Sequence, residues 1–154
     1  IEPFWGIDET KLRELLCWRN DEGVREWMFT KEPIGWDEHI NFVEGLKTNK
    51  TKSYWMAEGI GVISLANIDY ERLSADIGIY KAAGAPKGSG TKLLEILIKI
   101  AFVRLGLLCL CAEVYAANEA ALRLYKRLGF CFKNEYERDG NVVVYELKKE
   151  GSVV

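Results

Sequence analysis

The stretch from residue 73 to residue 105 constrains this 154-residue chain most, because it predicts a strand, a glycine-rich turn and a helix in direct succession. LSADIGIYK has the composition of a strand, and the turn after it contains PKGSGTK. The helix is indicated by one apolar stripe at helical spacing, formed by Leu93, Leu94, Leu97, Ile98, Ala101 and Leu105. A helix that begins at such a turn leaves its first N–H groups free to bind an anion.

The spacing of the two glycines excludes two common phosphate-binding motifs. Gly88 and Gly90 are separated by one residue, whereas the P-loop has four residues between its glycines. The dinucleotide-binding motif needs a third glycine, which is missing here. Two interpretations stay open: an anion site to which Lys87 adds a full positive charge, or an ordinary turn that uses glycine for backbone freedom.

The remaining segments predict an α+β fold with a mixed sheet in a single domain spanning 1–154. Helices are expected over 8–20, 21–29, 36–47 and 118–130, the last closed by Gly129. A first hairpin is expected from strands at 53–58 and 60–69, a further strand at 109–115, and a final hairpin over 132–149 that turns at Asp139, Gly140 and Asn141.

Charge and hydropathy exclude several classes of partner. The net charge is −2 and Lys and Arg are scattered, so no basic stripe is available for nucleic acid. No apolar run approaches the roughly 18 residues of a membrane helix, so no membrane partner is expected. The chain shows no leader-like segment, which favours the cytoplasm.

The four cysteines, Cys17, Cys109, Cys111 and Cys131, do not have the spacing of a metal site or a disulfide framework. Cys109 and Cys111 lie two apart in a predicted strand, at about 6.6 Å, which is the limit for a disulfide. A zinc pair normally has wider spacing and a second pair elsewhere. We expect thiols that pack as small apolar side chains in a reducing compartment.

Two motifs together resemble the GNAT superfamily of acetyl-CoA-dependent N-acetyltransferases. They are IGIYKAAGAPKGSGTKLL and NEAALRLYKRLGF, and the resemblance covers roughly 60–147. One departure is Ala85, where the family often has Gln or Arg. The resemblance implies a mostly antiparallel mixed sheet with helices on both faces, acetyl-CoA as co-substrate and no metal. It also implies the cofactor contacts Lys87, Gly88, Ser89, Gly90, Thr91, Asn118, Ala121 and Tyr125.

The chemistry of acetyl transfer assigns further roles within that fold. If the strand ADIGIYK splays from CLCAEV, an unpaired N–H near Ile79 or Tyr80 can hold the thioester carbonyl. Tyr125, the residue that the resemblance implies as general acid, has a hydroxyl that stays protonated at neutral pH and can donate to the departing thiolate. It also fits helical packing with Leu122 and Leu128, so a packing role stays open.

The proton of the attacking amine needs a path as well. Glu113, at the end of a strand, can accept it through a water, and Ser64 can order that water. Both also have ordinary interpretations, Glu113 as a solvated strand end and Ser64 as a hydrogen-bonded sheet residue. A sugar amine is less basic than lysine, so a proton relay can suffice.

The N-terminal half, LCWRNDEGVREWMFTKEPIGWDEHINFVEGLK, resembles the acetyltransferases of pseudaminic acid biosynthesis. Those enzymes acetylate the 4-amino group of a UDP-linked amino sugar on the route to flagellin glycosylation. The resemblance implies that Arg19 and His39 contact the nucleotide diphosphate. Aromatic residues are dense in this half, and Trp27 and Met28 are the candidates there to face the cleft and stack on a uracil or a sugar. Tyr80 is a further candidate for a substrate contact. Arg19 also fits an ion pair with a nearby acid, and a lone helix histidine is commonly structural.

Two other functions stay open from the sequence. An N-terminal N-acetyltransferase of the ribosomal-protein type also has a WRN-like opening, and would need an open, acidic peptide groove. A non-catalytic acetyl-CoA-binding module is the other alternative. Pairing of the last hairpin's edge strand between the subunits of a homodimer is left open too.

Overall fold

The computed structural model describes residues 1–150, which form one seven-stranded sheet with helices on both faces. The strands are β1 (Glu2–Pro3), β2 (Ser53–Ala57), β3 (Gly61–Asp69), β4 (Ser74–Lys81), β5 (Cys109–Tyr115), β6 (Cys131–Glu137) and β7 (Asn141–Lys148), in the spatial order β1-β2-β3-β4-β5-β7-β6. Every neighbouring pair is antiparallel except β4 and β5, which are parallel. The expected mixed, mostly antiparallel α+β fold is confirmed.

Five α-helices cover the two faces of the sheet. They are α1 (Glu9–Asn20), α2 (Glu22–Arg25), α3 (Trp36–Leu46), α4 (Ser89–Lys99) and α5 (Glu119–Arg127). The larger apolar cluster joins α4 and α5 to one face through buried residues such as Leu93, Leu97 and Tyr125. A smaller cluster joins α1 and α3 to the other face over β2, β3 and β4. Helices therefore pack on both faces of the sheet.

Local sequence explains where the helices begin. The Asp8 carboxylate accepts a hydrogen bond from the Lys11 N–H at 2.9 Å and so caps α1. Asn118 does the same for α5, accepting from the Ala121 N–H at 3.2 Å. Gly129, with a φ of 96°, terminates the helix after α5, as the sequence predicted.

Three expectations about the elements were wrong in detail. The second helix ends at Arg25 instead of reaching residue 29. Beyond Arg25 the backbone tightens into turns: Trp27 N donates to Val24 O at 3.2 Å and Met28 N to Arg25 O at 3.0 Å, three residues back instead of four. The helix after the glycine turn changes to a π-helical turn at Ile100–Arg104, which leaves Leu105 42% exposed and off the apolar stripe. The short strand β1 was not predicted.

Within residues 1–150 no helix combines the length and the apolar character that crossing a bilayer requires.

Candidate active site

The parallel strands β4 and β5 separate partway along their length. They pair only over Ser74 with Cys109, Ala75 with Leu110 and Asp76 with Cys111, after which β4 continues to Lys81 and β5 to Tyr115 without contact in the ladder. The gap opens into a cleft of about 670 Å³. Its walls include residues 77–83 of β4 and its continuation, 113–115 of β5, the glycine turn and α5. The predicted splay is thus present.

The strand geometry identifies which backbone group of β4 faces the gap. Ala82 N donates to Ile60 O at 2.8 Å, so the N–H of Ala82 points toward β3. N–H directions alternate along a strand, and the β3–β4 register is continuous here. Tyr80 therefore also points its N–H toward β3, whereas Ile79 points its N–H into the gap. Of the two residues predicted to hold a carbonyl, Ile79 has the suitable orientation.

The glycine turn leaves free N–H groups at the start of α4. Gly88 is the residue before the helix and has a φ of +88°, a conformation that disfavours other residues. The N–H groups of Gly90 and Thr91 donate to no backbone or side-chain acceptor within residues 1–150, although Lys92 N reaches Gly88 O at 3.2 Å. Free amides at the positive end of a helix dipole fit a pyrophosphate, so the turn fits the co-substrate that the sequence implied.

Two predicted members of this turn do not line the cleft. The Ser89 side chain is buried and its hydroxyl donates to Pro86 O, which shapes the turn from inside. Lys87 is exposed outside the cleft wall and contributes charge only at a distance. Gly88, Gly90, Thr91, Asn118, Ala121 and Tyr125 do line the cleft.

Tyr125 lies on α5. Its ring packs in the apolar core, and part of the residue lines the cleft. The side chain is 5% exposed, and its ring centroid is 5.2 Å from that of Phe130. Burial raises the pKa of the Tyr125 hydroxyl well above its usual range, because the phenolate would lose its hydration. The hydroxyl is therefore protonated at neutral pH, as a proton donor requires.

Glu113 and Ser64 lie on opposite sides of the gap, and both line the cleft. Glu113 is exposed on β5, and its Oε1 accepts a hydrogen bond from the Tyr136 hydroxyl at 3.1 Å. Ser64 is buried on β3, and its hydroxyl donates to Gly78 O at 3.4 Å. A Cβ at Gly78 would lie 2.6 Å from Ser64 Oγ, so glycine at that position is what leaves room for the hydroxyl.

Arg19 does not line the cleft itself, but it lies near Tyr54 and Tyr80, which do. Its Nη2 donates to Thr30 O at 3.1 Å, while Nη1 is buried and has no hydrogen-bond partner among the described residues. Burial lowers the pKa of the guanidinium, an effect that the nearby hydroxyls of Tyr80 and Tyr54 oppose. Burial in turn raises the pKa of both tyrosines. This group is a partly desolvated cation beside two neutral phenols, an arrangement that favours an anion.

The structure does not bring His39 to the cleft. It is buried between α3 and α1, with Nε2 2.9 Å from Leu12 O, and its ring centroid is 5.9 Å from that of Trp36. Burial lowers the pKa of the imidazole. Trp27 and Met28, in contrast, line the cleft in the segment after α2, as does Tyr80.

Of the charged residues that line the cleft, sequence reasoning missed Asp21, Lys81 and Arg127. Arg127 is the one that contacts the glycine turn. It lies on α5, and its Nη2 donates to the hydroxyl of Thr91, so α5 meets the glycine turn beside the free N–H groups of Gly90 and Thr91. Helical spacing offers a signal: Leu124 and Arg127 are three apart and share a face, and both line the cleft. The 36 intervening residues hide the contact with Thr91 in the sequence.

Comparisons with known proteins agree with this geometry. Residues 6–131 match the family described as Acetyltransferase (GNAT) domain. Acetyltransferase PseH of Campylobacter jejuni is 30% identical over 139 residues, which cover 88% of this chain and 86% of that protein. The crystal structure of Campylobacter jejuni N-acetyltransferase PseH in complex with acetyl coenzyme A superposes with a TM-score of 0.78 at 25% identity over 97% of both chains.

A further solved structure is similar in fold alone. Spermidine N-acetyltransferase from Vibrio cholerae, in complex with CoA and spermine, has a TM-score of 0.81 at 21% identity over 92% of both chains.

Proposed function

The chain belongs to the GNAT acetyltransferase family and is an acetyl-CoA-dependent N-acetyltransferase; from that premise we propose that its acceptor is the 4-amino group of a UDP-linked amino sugar in pseudaminic acid biosynthesis, on the route to flagellin glycosylation. The observation that carries the reaction type is the gap between β4 and β5, with a free Ile79 N–H on one wall, Tyr125 on the other and free helix amides at its end.

In this proposal two parts of the cleft bind acetyl-CoA: the glycine turn at the start of α4 and the gap between β4 and β5. The N–H groups of Gly90 and Thr91 bind the pyrophosphate, with Arg127 beside them. The gap between the strands takes the extended arm, because only there does β4 have N–H groups without a strand partner. In this proposal the N–H of Ile79 binds the thioester carbonyl and stabilises the negative charge that develops on it.

Proton transfer follows from the positions of three side chains. The amine attacks the carbonyl directly, and its proton passes through a water ordered by Ser64 to Glu113. Tyr136 holds the Glu113 carboxylate in place by donating to it at 3.1 Å. Tyr125, protonated because burial disfavours its phenolate, donates its proton to the departing thiolate.

Charges along the cleft do not favour a polycationic acceptor. The cleft wall carries two acidic residues, Asp21 and Glu113, against the basic residues Lys81 and Arg127. A polyamine with several ammonium groups would need more carboxylates than this wall offers. Arg19, with its buried Nη1 unpartnered among the described residues, suits a diphosphate, while Trp27 offers a partly exposed ring for a uracil or a sugar.

A free-thiol release assay with acetyl-CoA tests the acceptor. Turnover is expected with UDP-linked 4-amino sugars, and much less with spermidine or with peptides carrying a free N-terminus. Turnover with polyamines or peptides but with no sugar nucleotide would overturn the substrate assignment and leave the reaction type standing. No thiol release with any amine, together with intact acetyl-CoA binding, would favour a binding module.

The Tyr125→Phe variant tests the general acid. Removing the hydroxyl leaves the ring and its contact with Phe130, so the fold and the KM for acetyl-CoA should change little. The kcat should fall by about 100-fold or more, the range for a lost general acid. Tyr145→Phe is the matched control, since Tyr145 is buried in the same apolar cluster away from the cleft. An equal, small effect of both variants would assign Tyr125 to packing.

A further inference from the structure

The sheet face opposite α4 and α5 carries a cluster of two thiols and a carboxylate outside the acetyl-CoA cleft, on the same face of β5 as Glu113. The apolar cluster beneath α1 and α3 draws its strand residues from β2, β3 and β4. On β5 the residues facing α4 and α5 are Leu110, Ala112 and Val114. Cys109 and Cys111 alternate with them and therefore face the opposite side.

Three potential metal ligands meet on this face. Glu146 of β7 is the direct cross-strand neighbour of Cys111, so their side chains share a face. The sulfurs of Cys109 and Cys111 and a carboxylate oxygen of Glu146 all lie within 4.8 Å of one another. The spacing of the cysteines along the chain gave no sign of this, because the third ligand comes from a strand 35 residues after Cys111.

We propose that Cys109, Cys111 and Glu146 form a binding site for a thiophilic divalent cation of the zinc class. Two thiolates and one carboxylate are a ligand set that zinc accepts, with a fourth position left for water or another oxygen. In a tetrahedral site with Zn–S bonds of about 2.3 Å the two sulfurs lie roughly 3.8 Å apart. Closing from 4.8 Å or less needs side-chain rotation rather than movement of the paired strands.

The surroundings of the cluster suit a bound cation in two respects. It borders a small pocket of about 260 Å³ that gives access from solvent and includes Asp76, the cross-strand neighbour of Cys111 on β4. Lys133 and Lys148 lie 3.3 and 3.8 Å from the Glu146 oxygens. Three anionic ligands around a divalent ion leave one net negative charge, which these ammonium groups offset, and a carboxylate oxygen can ligate and accept a hydrogen bond together.

Binding exchanges protons for the metal. Cysteine sulfur binds a cation of this class as the thiolate. Each sulfur releases one proton to solvent as its bond to the cation forms, so one divalent ion displaces two protons and no redox step occurs.

The four cysteines supply their own controls, because all are free thiols in the structure. Cys17 and Cys131 are exposed, which contradicts the expectation that every cysteine packs as a small apolar side chain. Cys17 lies on α1 and is not part of the three-ligand group. Cys131 is also across from Glu146, on β6, but its sulfur is directed to Gly129 O at 3.8 Å and is not part of the three-ligand group.

The experiment titrates the chelator-treated, reduced full chain with Co²⁺ and then with Zn²⁺. One equivalent of Co²⁺ should produce a thiolate-to-cobalt charge-transfer band and the visible bands of a tetrahedral site, both abolished by Zn²⁺. Cys111→Ser should weaken Co²⁺ binding by at least about 100-fold and Glu146→Gln by about 10-fold. Cys17→Ser and Cys131→Ser should bind as the wild type does.

The wild-type spectrum decides the matter even where a variant folds poorly. Absence of the charge-transfer band in the wild type overturns the proposal. So does a band that survives in Cys111→Ser or disappears in Cys17→Ser. Acetyl-CoA binding by each variant reports whether the fold is intact, and it is independent of the cation, so the metal site and the acetyl transfer succeed or fail separately.

Discussion

Replacing Gly78 by alanine would test the arrangement of Ser64 at the cleft more sharply than any loss of a side chain. The backbone at Gly78 accepts an L-residue, since its φ lies outside the left-handed region. The added Cβ, however, would lie 2.6 Å from Ser64 Oγ, and the next atom, Ser64 Cβ, is 4.0 Å away. An ordinary carbon–oxygen contact is about 3.4 Å, so the added Cβ would be roughly 0.8 Å too close to Ser64 Oγ but at an ordinary distance from Ser64 Cβ.

The free energy of unfolding should respond accordingly. Inserting a methyl group into a packed site costs about 1–3 kcal/mol, so we expect Gly78→Ala to lose about 2 kcal/mol. Ser64→Ala removes a long hydrogen bond of 3.4 Å to Gly78 O and an interaction with the hydroxyl of Tyr54, together worth about 0.5–1 kcal/mol. In the double variant the new Cβ meets Ser64 Cβ at an ordinary distance, so most of the loss should be recovered, with a coupling energy of about 1–2 kcal/mol.

Urea unfolding of the four proteins, followed by tryptophan fluorescence, measures this cycle. Gly45→Ala is the matched control, because Gly45 lies within α3 and a Cβ there meets nothing within 4 Å. It should stabilise the protein by about 0.5–1 kcal/mol, the usual gain of alanine over glycine in a helix. A Gly78→Ala protein as stable as the wild type, or a double variant no more stable than Gly78→Ala, would show that Ser64 Oγ is not where the structure places it.

Two further predictions concern the cofactor and pH. Arg127→Ala should weaken acetyl-CoA binding by about 10-fold, because a hydrogen bond from the guanidinium to a phosphate is lost. The control is Arg123→Ala on the same helix, which should not change the affinity, since Arg123 is 70% exposed and lies near Glu119. Equal affinities of the two variants by calorimetry would contradict the phosphate contact. Because burial lowers the pKa of His39 in the folded protein, the unfolded chain binds the proton first as the pH falls, and stability present above about pH 6.5 is lost below it. Replacing His39 by Asn should therefore remove part of the difference in unfolding free energy between pH 7.5 and pH 5.5. An unchanged difference would refute the assignment.

The sequence determined the order and type of the main elements. Caps such as Asp8 and Asn118, the glycines of the turn at 88–90, and the apolar stripe of α4 act within a few residues, and such local signals are legible in one sequence. The resemblance carried by this turn implied Gly88, Gly90 and Thr91 as cofactor contacts, and all three line the cleft. The local signals failed at the end of α2, where the N–H groups of Trp27 and Met28 bond three residues back instead of continuing the helix to residue 29.

Only the tertiary structure decided which side chains meet. His39 and Arg19 were equal candidates in the sequence, yet the packing of α3 on α1 gives His39 the Leu12 carbonyl and leaves Arg19 Nη1 without a partner among residues 1–150. The contact between Arg127 and Thr91 and the meeting of Cys111 with Glu146 likewise arise from elements far apart in the chain. Local sequence fixes backbone conformation through short-range sterics and hydrogen bonds, whereas side-chain neighbours across the sheet depend on register and helix packing, which are properties of the whole fold.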